Sequence, residues 1–502
     1  MASISSKLGG SIRIRIRIGT NYRVGLSSLS ASDVAPTETI KAASMARMQQ
    51  RRGMAVYVSG DGWTGALGSP DFVDFTRPAE NSEEAFSLTE VKQYADQTPF
   101  SGVIAAAAGW GHSALIIQDP STKEKKLMVC GRPQDFQNLL RLRRIPPFIR
   151  SPLMKRSFDQ FYEPDRDQPT MFDQLIDAMI GDKHPTISTD RNLTRTVFPH
   201  FVTVPLPDDD EPIESSSVVL SASVGLTAVV GASGKLYTMG INSRGQCGVE
   251  FSNNVWTPTP VVGLSTAFPS EGRPKLQQES NIVSVALGLQ HGLAIDEQGS
   301  LFSWGKGHRG QLGLGDKGQK FLDSSLVPHS LPYAMHIKHF PIPPTTTTTT
   351  PLDTRVVQVS AGWNHSAGLT KSNHVFVWGK NVAPSEDLKK QPASDMDVPL
   401  LVQGLPEGLK VMNLSCGSHH TAMLLEDGSV YAVGVSTDNA EPIVEHAVEM
   451  IPPGIVDMPA RQFQSHVDRT TIVGRDGTQV LEVQLWSHEE LREDAAATPM
   501  WL

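Results

Sequence analysis

The stretch that decides the fold is residues 282–313, IVSVALGLQHGLAIDEQGSLFSWGKGHRGQLG. Residues 282–287 are apolar and partly alternating, the pattern of a buried strand. Gly288-Leu289-Gln290-His291 makes a tight corner, and residues 292–295 form a second short strand. Asp296-Glu297-Gln298-Gly299 then reverses the chain, because glycine tolerates positive φ and an aspartate can bond its own backbone. Residues 300–304 form a third strand, closed by Gly305, and Gly310-Gln311-Leu312-Gly313 turns the chain again.

The same unit recurs along the chain, and repeats of this length indicate a modular architecture. Third-strand copies end in glycine at Val56-Tyr57-Val58-Ser59-Gly60, Leu127-Met128-Val129-Cys130-Gly131, Leu236-Tyr237-Thr238-Met239-Gly240, Val375-Phe376-Val377-Trp378-Gly379 and Val430-Tyr431-Ala432-Val433-Gly434. Residues 479–486, QVLEVQLW, are a seventh and weaker copy. The corner returns as Gly109-Trp110-Gly111-His112, Gly362-Trp363-Asn364-His365 and Gly417-Ser418-His419-His420. It has lost its histidine at Gly225-Leu226-Thr227-Ala228, and only strand character survives at 463–472. Before the corners lie proline-flanked apolar pieces, 201–206, 258–263 and 399–404. Proline cannot donate to a sheet ladder, so these are fourth strands at the outer edge.

A lone four-stranded sheet of this kind cannot bury both faces, whereas a series packed face to face can. The predicted fold is therefore all-β, a β-propeller of four-stranded blades with a partly helical insertion. There are seven third strands and six corner units, so seven blades are expected. The blade holding residues 56–60 should be incomplete, leaving a seam of exposed strand edges.

These repeats resemble those of the regulator-of-chromosome-condensation family, a seven-bladed propeller, over roughly residues 54–486. Finer features resemble its mitochondrial branch: the opening strand followed by Gly65-Ala66-Leu67-Gly68, the string MGINSRGQCG at 239–248, and Glu449-Met450-Ile451-Pro452-Pro453. The resemblance implies a non-enzymatic adaptor with a protein partner. Its job would be mitochondrial ribosome or rRNA maturation, or else guanine-nucleotide exchange on a small or dynamin-like GTPase. A nuclear, chromatin-bound exchange factor is a third reading.

The net charge of −9 is unevenly spread. Residues 1–53 carry nine Lys/Arg and two acids, a balance of +7, which leaves −16 on the remainder. A globally basic field for nucleic acid is absent. The basic, serine-rich start has the composition of a mitochondrial or plastid transit peptide, and residues 1–53 are expected to lie outside the fold as a targeting segment or disordered tail. Residues 12–18, IRIRIRI, alternate with period two, which segregates charge on a strand rather than on a helix. Cys130, Cys247 and Cys416 lack CxxC spacing and read as buried reduced thiols.

Residues 132–217 read as the large insertion within the propeller of residues 54–486, and 487–502 as a polar tail. The insertion holds two candidate helices, 134–144 and 170–180, with a basic cluster between and around them: Arg141, Arg143, Arg144, Arg150, Lys155 and Arg156. This cluster is the candidate contact for RNA or a partner protein.

The corner residues Gly109, His112, Gly288, His291, Gly362, His365, Gly417 and His420 read as structural. So do the strand-closing Gly240, Gly305, Gly379 and Gly434. Each histidine is expected to hydrogen-bond inside its own blade, since equivalent positions on separate blades are too far apart to converge on one metal. Trp110 and Trp363 lie in GWGHS and GWNHS, without the arginines of the family's light-sensing branch, and read as packing or binding-face aromatics. Trp304 and Trp378 read as core. No phosphate loop, nucleophile elbow or HExxH pattern is present, so no catalytic residue, cofactor or metal is expected.

Overall fold

The computed structural model describes residues 16–18, 56–58, 66–68, 89–93, 100, 102–109, 111–119, 121–131, 198–207, 210, 212, 220–266, 278, 280–315, 325–338, 340, 353–384, 393–434, 443–460, 462–465, 469–475 and 480–484. Among them are six four-stranded sheets and one two-stranded sheet, with antiparallel pairing such as that of Ile282–Leu287 with His291–Asp296 throughout the registered strand pairs. The chain is all-β and built of β-propeller blades.

Blade four is the unit read first, and its strands are Ile282–Leu287, His291–Asp296, Leu301–Lys306 and Ser330–Ile337, hydrogen-bonded in that order. Blades two (Val103–Ala108, His112–Gln118, Lys125–Gly131, Phe198–Val204) and three (Leu220–Ala222, Leu226–Val230, Leu236–Ile241, Asn254–Pro260) repeat it. So do blades five (Val356–Ala361, His365–Thr370, Val375–Pro384, Ala393–Leu401) and six (Val411–Cys416, His420–Leu425, Val430–Gly434, Ile443–Ile451). Of blade one, the described residues include Val56–Val58 paired with Thr89–Val91. The prolines of the outer strands, such as Pro258, Pro332 and Pro399, lie on sheet edges.

The chain divides into two compact units. In the unit of Arg23–Ile241 and Asn254–Thr259, blades one and two share an apolar cluster of Val91, Phe100, Val103, Leu115, Cys130 and Phe201. In the unit of Met1–Tyr22, Asn242–Asn253 and Pro260–Leu502, successive blades pack face to face in the same way. Leu293, Ile295 and Ile337 of blade four meet Val359, Phe376 and Trp378 of blade five. Val377 and Leu369 of blade five meet Leu414 and Met423 of blade six, which in turn offers Leu424 and Ile451 to Phe463 and Ile472 of blade seven.

Two expectations are corrected. Residues 1–53 do not all stand outside the sheets. Ile16–Ile18 pairs antiparallel with Val480–Gln484, with Ile16 opposite Val483 and Ile18 opposite Leu481. It is the outer strand of blade seven, beside Gln462–Ser465, Arg469–Val473 and Val480–Gln484. The period-two alternation of IRIRIRI is the physical reason, since it suits a strand with two unlike faces. The insertion is also shorter than 132–217, because Phe198–Val204 is the outer strand of blade two, with Val204 opposite Leu127. The candidate helices at 134–144 and 170–180, the basic residues Arg141, Arg143, Arg144, Arg150, Lys155 and Arg156, and the tail at 487–502 lie outside the described residues.

Removing residues 1–22 should expose the ladder groups of Val480–Gln484. Amide exchange there is expected to quicken by about tenfold or more while blade four keeps its protection. Unchanged exchange at Val480–Gln484 would contradict the pairing.

Candidate functional site

Each corner histidine is the first residue of its blade's second strand, where a short connection leaves the ring pointing toward the next blade. His112, His291, His365 and His420 are all buried. His291 Nε2 lies 2.9 Å from Ser366 Oγ, and His365 Nε2 lies 3.1 Å from Thr421 Oγ1 and 3.2 Å from the His420 carbonyl. His112 reaches Thr227 at 2.9 Å and His420 reaches Thr470 at 3.4 Å. Every hydroxyl partner belongs to the residue just after the corner position of the following blade. The expectation of a bond inside each blade is thus corrected: the histidines join one blade to the next.

The roles of the atoms follow from proton counting. Ser366 gives its only proton to the Gln311 carbonyl at 2.9 Å, so it accepts from His291 Nε2–H. The Trp378 indole N–H donates to the same carbonyl at 2.9 Å, and Trp304 donates likewise to Gln246. In blade two, Ser113 and the Cys130 thiol both donate to the Ala66 carbonyl, at 2.8 and 3.3 Å. The corner glycine has a steric reason. A Cβ on Gly288 would stand 2.2 Å from His291 Cε1 and 2.5 Å from the Gly362 carbonyl of blade five. Gly305, by contrast, has a φ of 94° that side chains resist.

Burial disfavours the charged imidazole. It lowers His112 and His365 to about 4 and His291 to about 3, and takes His420 well below the usual range. These rings are neutral at physiological pH and are unsuited to exchanging protons with a substrate. Among the described residues no three of His, Cys, Asp and Glu gather as metal ligands. The three cysteines are buried and unbridged, and burial raises the thiols of Cys130 and Cys416. Asp296 accepts from the Gln298 and Ser300 amides, and Asp427 from Ser429, as turn residues should; Asp476 lies outside the described residues.

The accessible chemistry lies where third strands exit. Lys306 is partly buried, and His308, Arg309 and His329 are exposed. Burial lowers Lys306, aided by Arg244 and Arg309. Partial desolvation of its ring, even though the residue as a whole is exposed, and then the nearby charges of Lys306, Arg309, His329 and Arg244 lower His308 to about 4. On blades five and six Trp363 lies with its ring 5.5 Å from that of His419, which burial and Lys380 hold at about 4. Trp110 lies outside the described residues. Sequence reading missed the hydroxyls Thr227, Ser366, Thr421 and Thr470, although the hydroxyl residue following each of these corner positions was the signal. It also missed the cations, which the repeated Arg-Gly-Gln of 244–246 and 309–311 marks.

Blades stitched in this way define a repeat protein of the β-propeller class. The repeat is that of the regulator of chromosome condensation: residues 233–295 and 298–369 match the RCC1 repeat, a second RCC1 repeat description matches 282–311 and 356–383, and the chain carries RCC1 repeats. It is similar to the human probable E3 ubiquitin-protein ligase HERC6, 29% identical over 46% of this chain and 19% of that protein. The chain thus spans about a fifth of that relative's length. Among solved structures it is similar to Prp20p from Saccharomyces cerevisiae (14% identity, 89% of this chain and 95% of that one, TM-score 0.47). Human WBSCR16 is a further one (15% identity, 86% and 100%, TM-score 0.44).

Two outcomes test the stitch. A free histidine titrates near 6.5, so on acidification the unfolded chain takes up protons before the folded one does. Stability is therefore full above about pH 6.5 and falls as pH drops toward 4, by up to about 1.4 kcal/mol per pH unit for each buried ring. Urea unfolding across this range should show a slope about one proton shallower in His365→Gln; an unchanged slope would mean that His365 is not held neutral. At neutral pH, Trp378→Phe keeps an aromatic ring but loses the indole N–H bond to the Gln311 carbonyl and part of the buried ring, and should cost about 2 kcal/mol or more. A loss no larger than that of a surface substitution would contradict the bond.

Proposed function

We propose that this chain is a non-enzymatic β-propeller adaptor that binds a partner protein through the ends of its blades. One observation carries the reading. The imidazoles that could do acid–base chemistry are buried and committed to hydroxyls of the next blade, while Arg244 and Lys306, at the accessible third-strand exits, have no carboxylate partner among the described residues. Such an arrangement supports binding rather than turnover. The ligase activity in the name of HERC6 is not carried over, because the matched part is under a quarter of that protein.

The basic, serine-rich start supports a mitochondrial setting, with ribosome or rRNA maturation as the adaptor's job. The strand at Ile16–Ile18 constrains that proposal, since cleavage beyond it would strip blade seven of its outer strand. Amino-terminal sequencing of the protein recovered from purified mitochondria should therefore find a start before Ile16. A start near Met54 would sink the retained-strand form of the proposal, and exclusion from mitochondria would sink the setting.

The RCC1 repeats favour a second reading, nucleotide exchange on a GTPase. An exchange factor holds its partner best without nucleotide, so added GTP releases it by linkage. Purification of the tagged full chain after RNase treatment separates the two. Ribosomal proteins that stay bound in GTP support the scaffold, a GTPase released by GTP supports exchange, and the loss of every protein after RNase would overturn both. If the basic cluster contacts RNA, neutralising Arg141, Arg143, Arg144, Lys155 and Arg156 together should weaken RNA binding and flatten its dependence on salt.

A further inference from the structure

Two turns of one design differ in a single charge. In the first, the Arg244 amide donates to Gln246 Oε1 at 2.7 Å; in the second, the Arg309 amide donates to Gln311 Oε1 at 2.8 Å. Each turn rests on the outer strand of the following blade. A Cβ on Gly245 would lie 2.8 Å from the Leu331 carbonyl, and one on Gly310 would lie 2.3 Å from that of Met396. Leu331 and Met396 are therefore equivalent, and so are the residues before them, Ser330 and Asp395.

Asp395 accepts from the Arg309 guanidinium at 3.2 Å. Ser330 does not do so for Arg244, and it carries no charge to set against it. It is neutral and buried, and donates its hydroxyl to the Pro328 carbonyl at 3.2 Å. Lys306 lies opposite it in the ladder, and its neighbour is His329, another basic side chain. One turn thus has its anion built in, while at the other the cations Arg244 and Lys306 gather without a carboxylate among the described residues. Desolvated cations of like sign repel, and a bound anion would relieve that repulsion.

The geometry points to a binding site for a compact oxyanion, a carboxylate or phosphate group carried by a partner molecule, held by Arg244 and Lys306 beside His308 and His329 at the position that Asp395 fills one blade further on. The equivalence to one aspartate calls for one anionic group. A nucleic-acid backbone would instead be met by a line of cations. The site does not depend on the adaptor reading, which could fail while the site still binds.

Calorimetry of the full chain at low ionic strength tests it, with hexaglutamate and inorganic phosphate as separate probes. At least one should bind, and the tighter of the two identifies the source of the group. Arg244→Gln should weaken binding by about tenfold or more, the effect of losing a charge-assisted bond. Asp395→Ser, which opens the same vacancy beside Arg309, should add a second site. Ser330→Asp should abolish binding; because Ser330 is buried, Arg244→Gln and Asp395→Ser decide the matter if that variant does not fold. Binding of neither probe, binding unaltered by Arg244→Gln, or binding of an oligouridylate alone would overturn the proposal.

Discussion

The structure depends on a neutral imidazole donating across a blade junction to a hydroxyl one blade on. Sheets packed by apolar faces can slide, because dispersion and hydrophobic burial have little direction. A buried hydrogen bond does have direction, and leaving it unmade costs more than making it gains. The imidazole of His291, the hydroxyl of Ser366 and the indole N–H of Trp378 converge in sequence on one carbonyl, that of Gln311. That carbonyl belongs to the turn leaving blade four, so the network fixes the spacing of strands and the turn together. Gly288 is small for the same reason: any side chain there would displace both the ring and the neighbouring backbone.

This constraint also sorts the polar residues. Those facing a junction are consumed by it, whether imidazole, indole or hydroxyl. What is left for recognition comes from the third-strand exits, where the turns of Arg244 and Arg309 project. The repeat therefore separates two tasks by position. Its inner residues and the backbone of its exit turns specify how blades stack, and the outward side chains of those turns are free to differ from blade to blade without disturbing that stacking. The contrast between Ser330 and Asp395 is a difference of this kind.

Much of the fold was legible in the sequence because each strand type carries its own local mark: a glycine that closes the third strand, a glycine and histidine at the corner, a proline at the edge. The destination of the histidine bond was not legible, since a motif shows what begins a strand but not which sheet the side chain faces. The correct clue was the Ser or Thr after the corner, which has no meaning until the blades are stacked. Ile16–Ile18 was misassigned because its composition resembles that of a targeting segment, while its alternation, the stronger physical signal, indicated a strand. The unpaired Arg244 was hidden for another reason. Its significance rests on a comparison with Arg309 that needs the equivalence of Ser330 and Asp395, and the connections leading to these residues are of unequal length.

The strand at Ile16–Ile18 also sets an order of assembly. It is synthesised well before its partner at Val480–Gln484, which lies several hundred residues further along the chain. During synthesis an unpaired strand must wait while the intervening blades are made, its backbone open to any other edge it meets. Blade seven can be completed only after Val480–Gln484 has been made. Contacts so distant along the chain form slowly, because the intervening loop must be closed first. A nascent chain of this protein is therefore a candidate client for factors that shield exposed strands until these two distant segments meet.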